Sequence, residues 1–344
     1  MFTIRVAGLA DIKQLSELFE NTISNINSKD YPDEEIIDWV SCGKDPLRWK
    51  ELITALYFIV AETTDNQIVG FSSVSDDGYL HSMFVHKDFQ NRGVATALYK
   101  EIEKFAFGKN IRTLTSEVSI TARPFFERRG FMVDEEQKRK ANKLFLTNHK
   151  MNKQLPKPLN KLINEELWQL FPIILSGHKD HWKNDYNSGR ALLEEIIGKE
   201  NITRISHIGS TAIPGLLSKP TIDILVEIRE DTDIKDLIEK MESFDHIYSP
   251  QPDKPAPHLM FMKGYTPYGF EDHVFHIHVR YSGDWDELYF RDYLLEHPGV
   301  AEEYGILKLK LKDKFEHDRD AYTDAKTEFI SEVTRLARKE FGDR

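Results

Sequence analysis

Phe84-Val85-His86-Lys87-Asp88-Phe89-Gln90-Asn91-Arg92-Gly93-Val94-Ala95-Thr96-Ala97 is the stretch whose reading decides the fold of the first half of the chain. An apolar strand ends, a polar loop turns at glycine, and a helix begins. Backbone N–H groups at a helix start, flanked by Arg92 and unobstructed at Gly93 and Ala95, suit a pyrophosphate. The plainer alternative is an ordinary helix start with a glycine turn.

Around this stretch the patterning alternates between strand and helix periods. Residues 2–6 read as a strand, and residues 9–24 as an amphipathic helix carrying Ile12, Leu15, Leu18 and Phe19. Strands are expected at 55–62, 67–74 and 79–85, a helix at 94–107, a strand at 113–118, a short helix at 122–129 and a further strand from Phe131. This is an α+β pattern with a mixed sheet flanked by helices.

The chain has 344 residues with 40% hydrophobic and 30% charged, which predicts a globular protein of about two domains. Pro156 and Pro158 interrupt any helix or central strand, so the join is expected at a 154–160 linker between domains 1–153 and 161–344. A single cysteine, Cys42, excludes an internal disulfide framework and fits a reducing, cytoplasmic setting. No apolar run approaches the roughly 20 residues of a membrane helix, so neither a membrane span nor an export signal is expected.

The net charge of −11 is uneven. Residues 1–155 carry 21 basic and 22 acidic side chains, whereas 156–344 carry 25 and 35. That acidity disfavours a nucleic-acid polymer as partner.

One passage of the second half is dense in small residues: His207-Ile208-Gly209-Ser210-Thr211-Ala212-Ile213-Pro214-Gly215, leading to Lys219-Pro220-Thr221-Ile222-Asp223-Ile224. A strand delivers Gly209-Ser210 and a second strand carries Asp223, a geometry suited to phosphates with Mg²⁺. Strands are expected at 202–207, 221–228, 259–263 and 274–281. Helices are expected at 163–175, 186–197 and 233–242, then from Trp285 onward with a break near 297–299. This gives a small sheet with a helical C-terminal region. Alternation places Asp223 and Glu227 on one strand face, and with His278 they could form a metal site. Asp and His also make structural pairs. Lys219, Arg280, Arg291, Lys308, Arg319 and Lys326 could converge on the Gly209-Ser210 loop as a phosphate site, or be scattered in surface ion pairs.

Gln90-x-x-Gly93-x-Ala95, with Ala122-x-x-Phe125-Phe126-x-x-x-Gly130-Phe131 downstream, resembles the GNAT N-acetyltransferases over about residues 1–153. The resemblance implies acetyl-CoA, with Gln90, Asn91, Arg92, Gly93, Val94, Ala95 and Thr96 around the pyrophosphate. It places Met83, Phe84 and Val85 along the pantetheine, with Thr121 and Arg123 nearby. It also implies acyl transfer to a small-molecule or peptide amine, with His81 or Glu117 as the base. Where many members carry a tyrosine acid this chain has Phe126, which cannot donate a proton. Tyr79 and Tyr99 are the alternatives.

His207-Ile-Gly-Ser-Thr-Ala-Ile-Pro-Gly-Leu with Lys219-Pro-Thr-Ile-Asp-Ile and the later His276-Ile-His-Val resembles the GrpB family, over about residues 165–340. That implies a nucleotidyltransferase-like fold in which Gly209, Ser210 and Lys219 meet a nucleoside triphosphate and Asp223 carries the chemistry with Mg²⁺. Leu225 stands where a second acidic residue is expected. With Phe126 it favours the rival reading, a non-catalytic protein that senses ligands through both folds. The acceptor amine, the nucleotide and the oligomeric state stay open.

Overall fold

The computed structural model describes residues 2–342 and divides into two compact units, Met1–Pro158 and Leu159–Arg344.

The first unit begins with β1 (Phe2–Val6) and α1 (Ile12–Asn25), then α2 (Asp33–Ser41) and α3 (Pro46–Ala55). Next come β2 (Tyr57–Thr63), β3 (Ile68–Val74), β4 (Tyr79–Val85), α4 (Val94–Gly108), β5 (Thr113–Ser119), α5 (Arg123–Arg128), β6 (Met132–Lys140) and β7 (Phe145–Gln154). The sheet order is β1-β2-β3-β4-β5-β7-β6, with β4 and β5 parallel and the other pairs antiparallel.

β3 is buried on both faces, which explains its unbroken apolar and small-residue composition. One face packs on α4 through Val94, Leu98, Tyr99, Ile102 and Ala106. The other packs on α1 to α3 through Leu15, Phe19, Trp49 and Phe71. Burial of a side chain such as Leu98 contributes about 1.5–3 kcal/mol and fixes where α4 starts.

Helices α2 and α3 were not among the sequence expectations, although their start signals are ordinary. Asp45 caps the Leu47 N–H at 2.9 Å and Pro46 occupies the first turn. The strand expected from Phe131 is a hairpin of β6 and β7, and β7 inserts between β5 and β6. Asp38 of α2 holds the hairpin turn by accepting the N–H groups of Asn142, Lys143 and Leu144.

The second unit contains α6 (Asn164–Leu170), α7 (His181–Ile197), β8 (Ile202–Ile208), β9 (Thr221–Ile228), α8 (Ile234–Ser243) and β10 (Ile247–Ser249). They are followed by β11 (His258–Thr266), β12 (Gly269–Tyr281), α9 (Asp286–Glu296), α10 (Pro298–Phe315), α11 (Arg319–Asp324) and α12 (Thr327–Phe341). The sheet order is β10-β11-β12-β9-β8, and β12 runs parallel to β9. Helices α7 and α8 cover one face through Trp182, Leu193, Leu237 and Met241. Tyr289, Leu294, Tyr304 and Val333 bind the C-terminal helices together, with Ile213 and Leu216 joining that core. The helix expected over 163–175 stops at Leu170, ahead of Pro172. Among the described residues, no helix is long and apolar enough to cross a membrane.

Candidate functional sites

In the first unit, ladder pairing between β4 and β5 stops after Tyr79 with Thr115 and Leu80 with Ser116. β4 nevertheless continues to Val85 and β5 to Ser119, so the main chain of Met83, Phe84 and Val85 has no strand partner on that side. Ser73 faces Ser82 while Val74 faces Leu80, which makes His81 the extra residue of a β-bulge where the strands part. An extended chain can lie in the resulting cleft, and the unpaired amides and carbonyls of β4 are its hydrogen-bonding wall.

The cleft leads to the start of α4. Gly93 is the N-cap with φ +82°, no side chain caps the helix, and a Cβ added at Gly93 would meet nothing within 4 Å. The first amides of a helix have no intrahelical partner, so Val94, Ala95 and Thr96 present N–H groups at its positive end. Asn91 also has a left-handed backbone, φ +58°, and Arg92 lies 5.2 Å from the Phe89 ring centroid. The Gln90 amide donates to the Val85 carbonyl at 2.6 Å, so this side chain braces the loop.

Arg129 was not singled out from sequence. It donates to Thr96 Oγ1 at 2.6 Å, placing a cation beside the first turn of α4, and its buried Nε has no hydrogen-bond partner. Thr121 and Arg123 are engaged elsewhere: Thr121 donates to Asp30 at 2.7 Å, and Arg123 pairs with Glu127 at 2.7 Å and contacts His149.

His81 Nδ1 lies 2.7 Å from Ser82 Oγ. Burial, with the positive charge of Arg48 behind it, pulls the imidazole down to about 4 against the opposing influence of Glu117, so it is neutral at physiological pH. Glu117 pairs with Arg139 at 3.1 Å. The Tyr79 ring stands 6.1 Å from the His81 ring, and burial followed by Glu117 raises its phenol, which stays protonated. Tyr99, on α4, is buried in the core, with its hydroxyl engaged by Glu103 and Lys153. Phe126 is likewise a core residue, against Phe125 and Phe131. Arg48, another residue the sequence did not flag, lies over Phe19 and Trp49 with a buried Nη1 that has no partner.

In the second unit, Gly209 ends β8 with φ +68° and ψ −174°, a conformation confined to glycine, and a Cβ there would stand 2.3 Å from Asp223 Oδ2. The Gly209-Ser210 turn thus lies directly against Asp223. The parallel register sets His276 opposite Asp223 and His278 opposite Leu225. His276 Nδ1 is 3.4 Å and His278 Nε2 3.9 Å from Asp223 Oδ1. Burial pushes the Asp223 carboxyl up, but His276 and then His278 outweigh it and hold it well below the usual carboxylate range. His276 continues through the Tyr265 hydroxyl at 2.7 Å to Arg319 at 3.1 Å.

The expected Asp223, Glu227 and His278 metal site is not assembled. Glu227 is 1% exposed and is held by the Arg204 guanidinium and the Gly283 N–H. It shares a strand face with Asp223, but β8 supplies a counter-ion at that end of the strand. Among the described residues, no three His, Cys, Asp or Glu side chains converge as a metal-holding group. One carboxylate, its two histidines and nearby lysines are a poor donor set for Mg²⁺, which favours several oxygen ligands.

The basic residues divide. Arg280 is buried in β12 and donates to backbone carbonyls, and Arg291 pairs with Asp292 and holds the His207 carbonyl. Lys308 donates to Ser210 Oγ at 3.0 Å and to the Leu217 carbonyl. Lys219 and Lys326 lie 5.8 and 4.5 Å from the centroid of the Tyr322 ring.

Residues 27–155 match the family model for the acetyltransferase (GNAT) domain, and residues 172–336 match that for GrpB protein. The glutamate-rich protein GrpB of Alkalihalophilus pseudofirmus is 35% identical over 168 residues, 47% of this chain and 93% of that protein. The uncharacterized N-acetyltransferase YafP of Escherichia coli is 34% identical over 141 residues, 41% of this chain and 88% of that one. The UPF0157 protein YqkA of Bacillus subtilis is 27% identical over 261 residues, 75% of this chain and 69% of that protein, a span longer than either unit. The chain therefore belongs to the GNAT acetyltransferases through its first unit and to the GrpB family through its second.

Proposed function

We propose that the first unit is an acetyl-CoA-dependent N-acetyltransferase acting on a small-molecule or peptide amine, and that the second binds the phosphates of a nucleotide at Gly209-Ser210. The observation that carries the first reading is the splayed cleft between β4 and β5, which opens toward the uncapped start of α4. A chain of amides with a pyrophosphate at one end matches both parts. The unpaired edge of β4 from Met83 to Val85 aligns the pantetheine. The amides of Gly93 to Thr96, with Arg92 and Arg129, receive the pyrophosphate.

Bound acetyl-CoA supplies a thioester whose acyl carbon is open to attack by the amine nitrogen. The new C–N bond forms as the C–S bond breaks, one proton leaves the nitrogen and one reaches the thiolate. His81, neutral and beside the point where the strands part, accepts the amine proton directly or through water, with Glu117 as the alternative base. Tyr79, kept protonated and with its ring 6.1 Å from that of His81, supplies the proton to the thiolate.

Incubation of the full chain with acetyl-CoA and a panel of amines, followed by thiol release, tests this reading. Saturable acetyl-CoA binding and amine-dependent thiol release are expected. Binding without release for any amine would favour the ligand-sensing alternative, and absence of both would overturn the proposal.

A further inference from the structure

Lys219, Lys308 and Lys326 all feel the charge of the Asp223 carboxylate, and Arg319 is a fourth cation acting on Lys219 and Lys326. Lys308 lies against Ser210 and 4.5 Å from the Tyr304 ring centroid. Lys326 and Lys219 share the Tyr322 ring. Arg319 joins through Tyr265 and His276. Among the described residues none of the four forms an ion pair, and the buried Tyr322 hydroxyl has no hydrogen-bond partner. Lys308 is 3% exposed and the other three are half-buried.

Like charges are rarely collected out of water without a counter-charge, because both burial and mutual repulsion oppose them. The lysines carry that signature. Burial first and neighbouring cations next bring Lys219 and Lys308 down to about 7, and burial brings Lys326 down to about 8, with Asp223 opposing. A divalent cation would add to the excess of positive charge. A chain of phosphates would remove it, and would find an ammonium beside Ser210, a guanidinium and an unpartnered phenol within one site.

We infer that Lys219, Lys308, Arg319 and Lys326 form a site for a multiply charged phosphate chain, held by these side chains without a divalent metal. This rests on the reading that the Gly209-Ser210 turn receives phosphates and adds to it how they are neutralised. Asp223 is then a carboxylate paired with His276 and His278 rather than a metal ligand.

The test is calorimetric titration of the full chain with inorganic tripolyphosphate and with ATP, each in EDTA and in excess Mg²⁺. Tripolyphosphate is expected to bind in EDTA, with no gain from Mg²⁺. Lys326→Gln and Lys308→Met should each weaken it tenfold or more, and Asp223→Asn, which removes a negative charge felt by all three lysines, should leave it unchanged or tighter. Circular dichroism identifies any variant that misfolds, and the half-buried Lys326 keeps the test open if Lys308→Met does. Binding only with Mg²⁺, or its loss in Asp223→Asn, would overturn the inference while leaving the nucleotide reading intact. Tripolyphosphate binding with no affinity for ATP would uphold the inference and overturn the nucleotide. No binding of either ligand in either condition would overturn both.

Discussion

Arg204→Met tests whether Glu227 is a structural ion or a ligand held for chemistry. Glu227 lies on the inner face of β9, 1% exposed, and accepts two hydrogen bonds from Arg204 and one from the Gly283 N–H at 3.1 Å. Its partner is different: the Arg204 side chain is 45% exposed. Removing the arginine strands a buried carboxylate with a single N–H, whereas removing the glutamate leaves an arginine that can turn to water. Breaking a buried pair from the side that leaves the buried charge costs about 3–5 kcal/mol. The retained Gly283 contact points to the low end, about 3 kcal/mol. Glu227→Met should cost about 1 kcal/mol or less, and the double variant should recover most of the loss, because an apolar pair of similar volume is often neutral.

Hydrogen exchange over β8 and β9 reads this locally in the full chain, and a loss of about 3 kcal/mol speeds exchange of the most protected amides by roughly 100- to 200-fold. Equal, small effects of the two single variants would refute the reasoning. So would a Glu227→Met variant that exchanges normally yet loses phosphate binding.

Gly93→Ala should weaken acetyl-CoA binding about tenfold by forcing the start of α4 out of its φ of +82°, a strain of about 1–2 kcal/mol, measured by titration of the folded variant. Arg48→Met should raise the His81 pKa from about 4, since the arginine charge helps to lower it, and an NMR titration of the imidazole reads the shift. His81, His207 and His246 all lie near 4 because burial disfavours the imidazolium, so the unfolded chain binds more protons between pH 6.5 and 4. Stability should therefore be full above about pH 6.5 and fall as pH drops toward 4, by up to roughly 3 kcal/mol per histidine, seen as a falling urea midpoint in the affected unit. A midpoint that is flat across that window would contradict the burial argument.

The parts legible in the sequence were those written locally. The end of β4, the Gly93 turn and the first apolar residues of α4 are contiguous, and alternation over β9 placed Asp223, Leu225 and Glu227 on one face. The features missed depend on which segment lies alongside. Arg204 meets Glu227 through the pairing of β8 with β9, and His276 meets Asp223 through the parallel register of β12, neither of which follows from spacing within a strand. Helices α2 and α3 are a different case. Asp45-Pro46 and the acidic first turn after Pro32 were visible start signals, obscured by short helices with few periodic apolar residues.

Charge shows why the sum over a domain and the charge at a site must be separated. The second half carries ten more acidic than basic side chains, yet Lys308 beside Ser210, with Lys219, Arg319 and Lys326, is drawn inward and half-buried or deeper. Exposed carboxylates are screened beyond about 8 Å at physiological salt, whereas charges withdrawn from water are screened far less. A small polyphosphate that enters the site therefore meets mainly the four cations. A nucleic-acid strand, obliged to track the exterior, meets mainly the acidic surface. The same domain thus attracts phosphate at one scale and repels it at another. What selects between ligands is whether the phosphates can leave the surface and reach Lys308.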